Sequence, residues 1–209
     1  MIISLSTVVE ENVRKAVRSI DQLDAKLAAE VIERDRDIDQ SEVDVEEECL
    51  KILALHQPVA IDLRYIIAVL KINNDLERIG DLAVNIAERT LFLCEQDRLD
   101  VRFDFAGMSS KTLSMLKRSL DSLVNMDTQT ARGVLVSDDE VDEMNRQMCR
   151  EIADEIKREP ERTESLMRYF SASRHLERIA DYATNIAEDV IYMMEGTIVR
   201  HGAGGEFQD

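Results

Sequence analysis

The segment LERIGDLAVNIAE (residues 76–88) returns as LERIADYATNIAE at residues 176–188. The two copies differ only at Gly80/Ala180, Leu82/Tyr182 and Val84/Thr184. Around each copy the apolar residues step by three and four. The first set is Ile72, Leu76, Ile79, Ala83, Ile86 and Leu93; the second is Ala172, Leu176, Ile179, Ala183, Ile186 and Met193. Such spacing lines one face of an α-helix. The repeated segment therefore predicts a core-packed helix, written twice in one chain.

Working outward, the same periodicity predicts helices near 4–20, 23–55 and from Pro58 to about 96. A second set follows near 109–126, 128–158 and from Pro160 to about 195. Each proline is expected to open a long helix, since proline is tolerated in the first turn and breaks an interior. The stretch CEQDRLDVRFDFAGMSS (94–110) interrupts the pattern. The fold class is thus expected to be all-α, a tandem repeat of two three-helix bundles with six helices. The repeats cover 1–96 and 109–195, with a connection at 97–108 and a Gly-rich tail at 196–209. Upstream of the motif, IDLRYIIAVLKI (61–72) is apolar nearly all round. It is expected to be covered by the other bundle or by a second subunit, as in a homodimer.

Composition narrows the function. The chain has 209 residues, 4% aromatics, two prolines and a formal net charge of −17. That charge excludes nucleic acid as a partner, because phosphate binding needs a basic face. It also disfavours adsorption to anionic lipid and favours cations or basic protein partners. Cys49, Cys94 and Cys149 are odd in number and widely spaced, so they read as small hydrophobes in a reducing cytosol. The start MIISLSTVV lacks a basic segment, and the longest apolar run, YIIAVL, is too short to span a bilayer. A cytoplasmic protein is expected.

The polar half of the motif carries the chemistry. Glu77 and Asp81 lie one helical turn apart, as do Glu177 and Asp181, away from the apolar stripe on an outward face. The preceding helix of each repeat holds a matching pair, Asp35 with Asp39 and Asp138 with Asp142. Antiparallel hairpins turning at Pro58 and at Glu159–Pro160 place Asp39 opposite Glu77 and Asp35 opposite Asp81, and likewise in the second repeat. The second-helix offset between repeats is then 103 residues and the third-helix offset 100, so Cys49 and Cys149 are not equivalent.

Four carboxylates at separations of ~6 Å repel by roughly 3 kcal/mol per pair at an effective dielectric near 20. Two readings stay open. Arg78, Arg178, Arg34 and Arg36 could neutralise a solvated, salt-bridged face, or a multivalent cation could bind. With oxygen donors only, the candidates are Mg²⁺, Mn²⁺, Ca²⁺ or oxidised iron. Asn85 and Asn185 continue the motif and could add an oxygen ligand or cap a neighbouring backbone group, the second being expected, and Glu88 and Glu188 close it. The three histidines complete no Glu-x-x-His di-iron motif, and His175 is replaced by Asp75 in the first repeat. Neither a phosphate-cradling Gly-rich loop nor a nucleophile elbow is apparent. A non-enzymatic protein is expected; the alternative is a helical carboxylate-bridged metalloenzyme.

Taken together, the doubled E/DxxxD pairs, the LERIGD…NIAE segment, the turn HQPVAIDLR (56–64) and RHGAGGEF in the tail resemble the PhoU family. The resemblance spans nearly the whole chain. It implies a cytoplasmic negative regulator of phosphate uptake and of the phosphate-starvation response. The implied partners are the ATPase of a phosphate ABC transporter and a phosphate-sensing histidine kinase. A related alternative is a partner of another phosphate permease. It also implies metal binding by Asp35, Asp39, Glu77 and Asp81, and by Asp138, Asp142, Glu177 and Asp181. Two departures stand out: the first helix is shorter than is usual in the family, and the second turn, REPERTE, lacks the QPVAIDLR signature.

Overall fold

A computed structural model of the chain describes residues 1–97 and 103–199. The described residues are predominantly helical, with no strand among them. In chain order the helices are α1 (Ile2–Gln22), α2 (Ala25–His56), α3 (Ala60–Cys94), α4 (Phe105–Asn125), α5 (Thr128–Leu135), α6 (Asp138–Arg158) and α7 (Thr163–Glu195). A short 3₁₀ turn, Pro160–Arg162, leads into α7. Helices α1–α3 form one bundle and α4–α7 the other, as the repeat predicts.

The first turn of each bundle is built the same way. Leu23 and Met126 adopt left-handed backbone at the ends of α1 and α4. The next residue, Asp24 or Asp127, caps the following helix by accepting two backbone N–H bonds. These turns are 103 residues apart, the offset expected for the second helices.

Three expectations need correction. The helix foreseen over 128–158 is broken at Val136–Ser137. There the Ser137 hydroxyl turns back to the Gly133 carbonyl at 3.0 Å and accepts from Arg118 at 3.2 Å, drawing the side chain into competition with the helix ladder. Pro160 opens its 3₁₀ turn, but Pro58 lies two residues ahead of Ala60, in a turn where Gln57 is left-handed at φ 46°. It shapes the turn and does not start the helix. Finally, the apolar stretch at 61–72 is only half covered. Ile66, Ala68, Val69 and Ile72 are buried, while Ile61, Leu63, Tyr65 and Ile67 are exposed. The reason is length: Ile2, at the start of α1, packs against the cluster of Val45, Cys49, Ile66 and Val69, so α2 and α3 run on past it. The tail motif RHGAGGEF lies outside the described residues.

The bundles join through α3 and α7. Lys71 pairs with Asp189 at 2.9 Å, and Arg89 donates to Ser171 at 3.3 Å. Positions 71 and 171, and 89 and 189, are equivalents, so the two long helices run antiparallel with their partners exchanged about an approximate twofold axis. Leu76 and Ile79 on α3 and Leu176 and Ile179 on α7 are fully buried within one apolar cluster that reaches from Leu5 to Met193. The repeats therefore share a single core.

Volume is conserved across the motif as well. A Cβ at Gly80 would stand 3.2 Å from Ile38 Cγ2 and 3.6 Å from Asp35 Oδ1. The second repeat has Ala180 in place of Gly80, and Val141 at the position equivalent to Ile38. One methyl has moved across the helix pair. Gly80 thus makes room for Ile38, and the Asp35 carboxylate lies beside it against α3.

Candidate metal centre

In the first bundle α2 presents Asp35 and Asp39, and α3 presents Glu77 and Asp81. The register agrees with the hairpin argument to within one residue. Asn73 on α3 donates to the Glu42 carbonyl on α2 at 2.9 Å, and Ser173 on α7 donates to Asn145 Oδ1 on α6 at 3.1 Å. Asp35 faces Gly80, next to Asp81. Each bundle therefore brings its four predicted carboxylates to one level of neighbouring helices.

Their electrostatics report the crowding. Burial, followed by the charges of Asp39 and Asp81, pushes the Asp35 carboxyl up to about 6. Burial and then Asp181, Asp142 and Asp139 raise Asp138 to about 6. Asp181 rises to about 6 through burial, Glu177 and Asp142, against the pull of Arg174 and Arg178. Glu77 and Glu177 are also raised, chiefly by burial. The expected outward face is thus partly buried where the neighbouring helix shields it, while Asp39 and Asp181 stay exposed. The side chain of Glu177 is only 14% exposed.

Arginines partly offset the charge. Arg78 reaches Glu77 at 3.4 Å and Asp81 at 3.5 Å. In the second bundle Arg174 pairs with Glu177 at 2.8 Å and Arg146 with Asp142 at 3.7 Å. Arg34, foreseen as a neutraliser, bonds Glu11 at 3.0 Å instead. Asn85 donates to the Asp81 carbonyl at 2.8 Å, the backbone role expected of it.

Whether an ion suits these residues turns on donor type and placement. All eight donors are carboxylates at two shared levels, which suits Mg²⁺, Mn²⁺, Ca²⁺ or oxidised iron. The Glu177 Oε2 atom is buried without a hydrogen-bond partner, an acceptor with a desolvation cost and nothing to offset it. Among the described residues, however, no three such side chains already stand at the spacing of a finished metal shell. The residues fit an all-oxygen cation in chemistry and level, with side-chain closure required on binding.

Two features escaped the sequence reading. Glu42, one turn beyond Asp39 on the same face of α2, adds a further carboxylate that raises Glu77. Its three-residue spacing from Asp39 was the available signal. The second level also opens onto a cleft of about 830 Å³ between α3, α6 and α7, where Lys71, Asp75 and Asp189 face Asp138, Asp139 and Asp181.

A pH prediction follows. Asp35, Asp138 and Asp181 have folded values above the ordinary 3.8, so their stabilising contribution is full below about 4 and lost as pH rises through about 6. His175 acts oppositely. Burial, Arg89 and Arg178 lower it from 6.5 to about 4, so its contribution is lost as pH falls through that range. With three carboxylates against one imidazole, the metal-free protein should melt a few degrees higher at pH 5.5 than at pH 7.5. Exposure of Asp181 and partial exposure of the other two limit the gain through screening. His175→Asn should enlarge it. Thermal unfolding in chelator checks this, and a flat or reversed profile in the His175→Asn variant would contradict it.

Comparison with known proteins finds relatives of this chain and of its fold. The family model described as the PhoU domain matches residues 2–90 and 105–190, one match per bundle. The chain is 40% identical over 200 residues to an Aquifex aeolicus protein named phosphate-specific transport system accessory protein PhoU homolog, covering 96% of this chain and 90% of that one. It is 37% identical to the Pseudomonas aeruginosa protein of the same name, covering 96% and 83%. The crystal structure of PhoU from Pseudomonas aeruginosa superposes with a TM-score of 0.91 over 94% of each chain. The phosphate transport system regulatory protein PhoU from Streptococcus pneumoniae superposes at 0.88 with 28% identity, over 96% of this chain and 94% of that one.

Proposed function

The chain belongs to the PhoU family, and on that premise we propose that it is a non-enzymatic accessory protein of phosphate transport. It acts in the cytoplasm as a helical adaptor between a phosphate ABC transporter, through its ATPase, and a sensor histidine kinase. There it represses the starvation response when phosphate is plentiful. The names of its relatives support the accessory role. No described helix is long and apolar enough to cross a membrane, which is compatible with that placement.

The observation that carries the metal-binding part is the doubled level of four carboxylates, at which burial and neighbouring carboxylates raise Asp35 in the first bundle and Asp138 and Asp181 in the second. Asp35, Asp39, Glu77 and Asp81 would hold one ion or cluster, and Asp138, Asp142, Glu177 and Asp181 the other. When bound, such an ion supplies positive charge that offsets carboxylate repulsion across two long helices. The chain's own residues then set the helix spacing on each bundle's flank. The exposed tip bearing Ile61, Leu63, Tyr65 and Ile67 is where a second subunit of a homodimer would seat.

The test is genetic. Deleting the gene in its own host under ample phosphate should raise a starvation-promoter reporter several-fold, and removing the sensor kinase as well should abolish that rise. An unchanged reporter in the single deletion would overturn the regulatory reading.

A further inference from the structure

The two carboxylate levels carry different internal cations. In the second repeat Arg174 donates to Glu177 Oε1 at 2.8 Å and leaves Oε2 buried and unpartnered. A second arginine, Arg146, stands 3.7 Å from Asp142. The equivalents in the first repeat are Asn74 and Val43, neither of them charged. Arg78 is there, but at 3.4–3.5 Å from its two carboxylates.

One donor position differs in the same direction. Glu42 in the first repeat corresponds to Asn145 in the second. Asn145 is buried and already engaged by Ser173 at 3.1 Å. Glu42 is instead held by Asn73, whose amide donates to its carbonyl at 2.9 Å and its Oε1 at 3.3 Å. Asn73 is 1% exposed, and its Oδ1 has no partner. The amide orientation is fixed by those two donations, so an unsatisfied acceptor stands beside the Glu42 carboxylate. The first level thus has Glu42 beside its four carboxylates, an orphan amide oxygen, and one arginine, Arg78, at 3.4–3.5 Å. The second has Asp139 beside its four, but Arg174 pairs with Glu177 at 2.8 Å and Arg146 stands 3.7 Å from Asp142.

Resting on the reading of these levels as cation sites, we propose that they fill in order. The first-repeat site takes an ion at lower concentration, and Arg174 is a built-in counter-ion that an incoming ion must displace from the second. The physical basis is competition. A guanidinium at hydrogen-bond distance already supplies much of the charge compensation a metal would bring, so a metal gains less there. Arg174 is a positioning residue for Glu177. It is half-exposed at 48%, so replacing it disturbs no core packing.

The experiment is calorimetric titration of the full metal-free chain with Mn²⁺, in the parent, Arg174→Asn and Glu42→Gln. Arg174→Asn installs the residue that the first repeat carries. The parent should show two classes of site separated tenfold or more. Arg174→Asn should tighten the weaker class about tenfold and leave the tighter one unchanged, while Glu42→Gln should weaken only the tighter class. Two equal classes in the parent, or an Arg174→Asn variant with the parent's second affinity, would overturn the order proposed here while leaving the cation reading standing. Absence of Mn²⁺ binding in the parent would overturn both.

Discussion

Replacing Leu176 with alanine should lower the unfolding free energy by about 3 kcal/mol, and Leu76→Ala should do the same within the usual spread of 2–5 for such truncations. Both side chains are fully buried at equivalent places on α7 and α3. Neither bundle can relax alone, because the apolar cluster is continuous through both. Each variant should therefore unfold in one transition, displaced as a whole by several degrees. Differential scanning calorimetry checks this. A two-step melt in which Leu176→Ala moves only one step would show two independent domains and contradict the shared core.

The second large effect concerns charge. Glu77→Gln with Asp81→Asn keeps the volume of the first level and removes two of its negative charges. In chelator this variant should be more stable than the parent, because folding no longer gathers those carboxylates. In Mn²⁺ the order should reverse. An ion that binds only the folded form stabilises by about 2.7 kcal/mol at a hundredfold excess over its dissociation constant, and the variant retains that gain at the second level alone. The sign change between the two conditions separates a cation site from a salt-bridged face, for which neutralisation would act alike with or without metal.

Much of this was legible in the sequence because helices expose their logic through spacing. The three- and four-residue steps around Leu76 and Leu176 gave both the buried face and the flank on which Glu77 and Glu177 stand. The hairpin register, read from turn positions, is met by Asn73–Glu42 and Ser173–Asn145 to within a residue. What escaped depends on three-dimensional neighbours. The break at Ser137 arises from one hydroxyl bonding back to Gly133 and accepting from Arg118, a tertiary contact across 19 residues. The exposed tip at Ile61 and Tyr65 reflects how far α1 reaches, which the apolar pattern of α3 cannot reveal. Arg34 looked like a neutraliser by proximity in sequence, yet its side chain follows Glu11 on α1. Glu42 was hidden for the opposite reason: in a chain with 43 acidic residues, one more on a helix face carries little signal until Asn73 is seen to hold it.

The central claim is that each bundle closes a level of four carboxylates around a multivalent cation. Metal content of the parent and of the Glu77→Gln, Asp81→Asn variant, measured by elemental analysis after equilibration with Mn²⁺ and removal of excess, tests it most directly. The claim predicts metal in the parent and a loss in the variant of what the first level holds, with the second level still loaded. Equal metal in both proteins, or none in either, would contradict it.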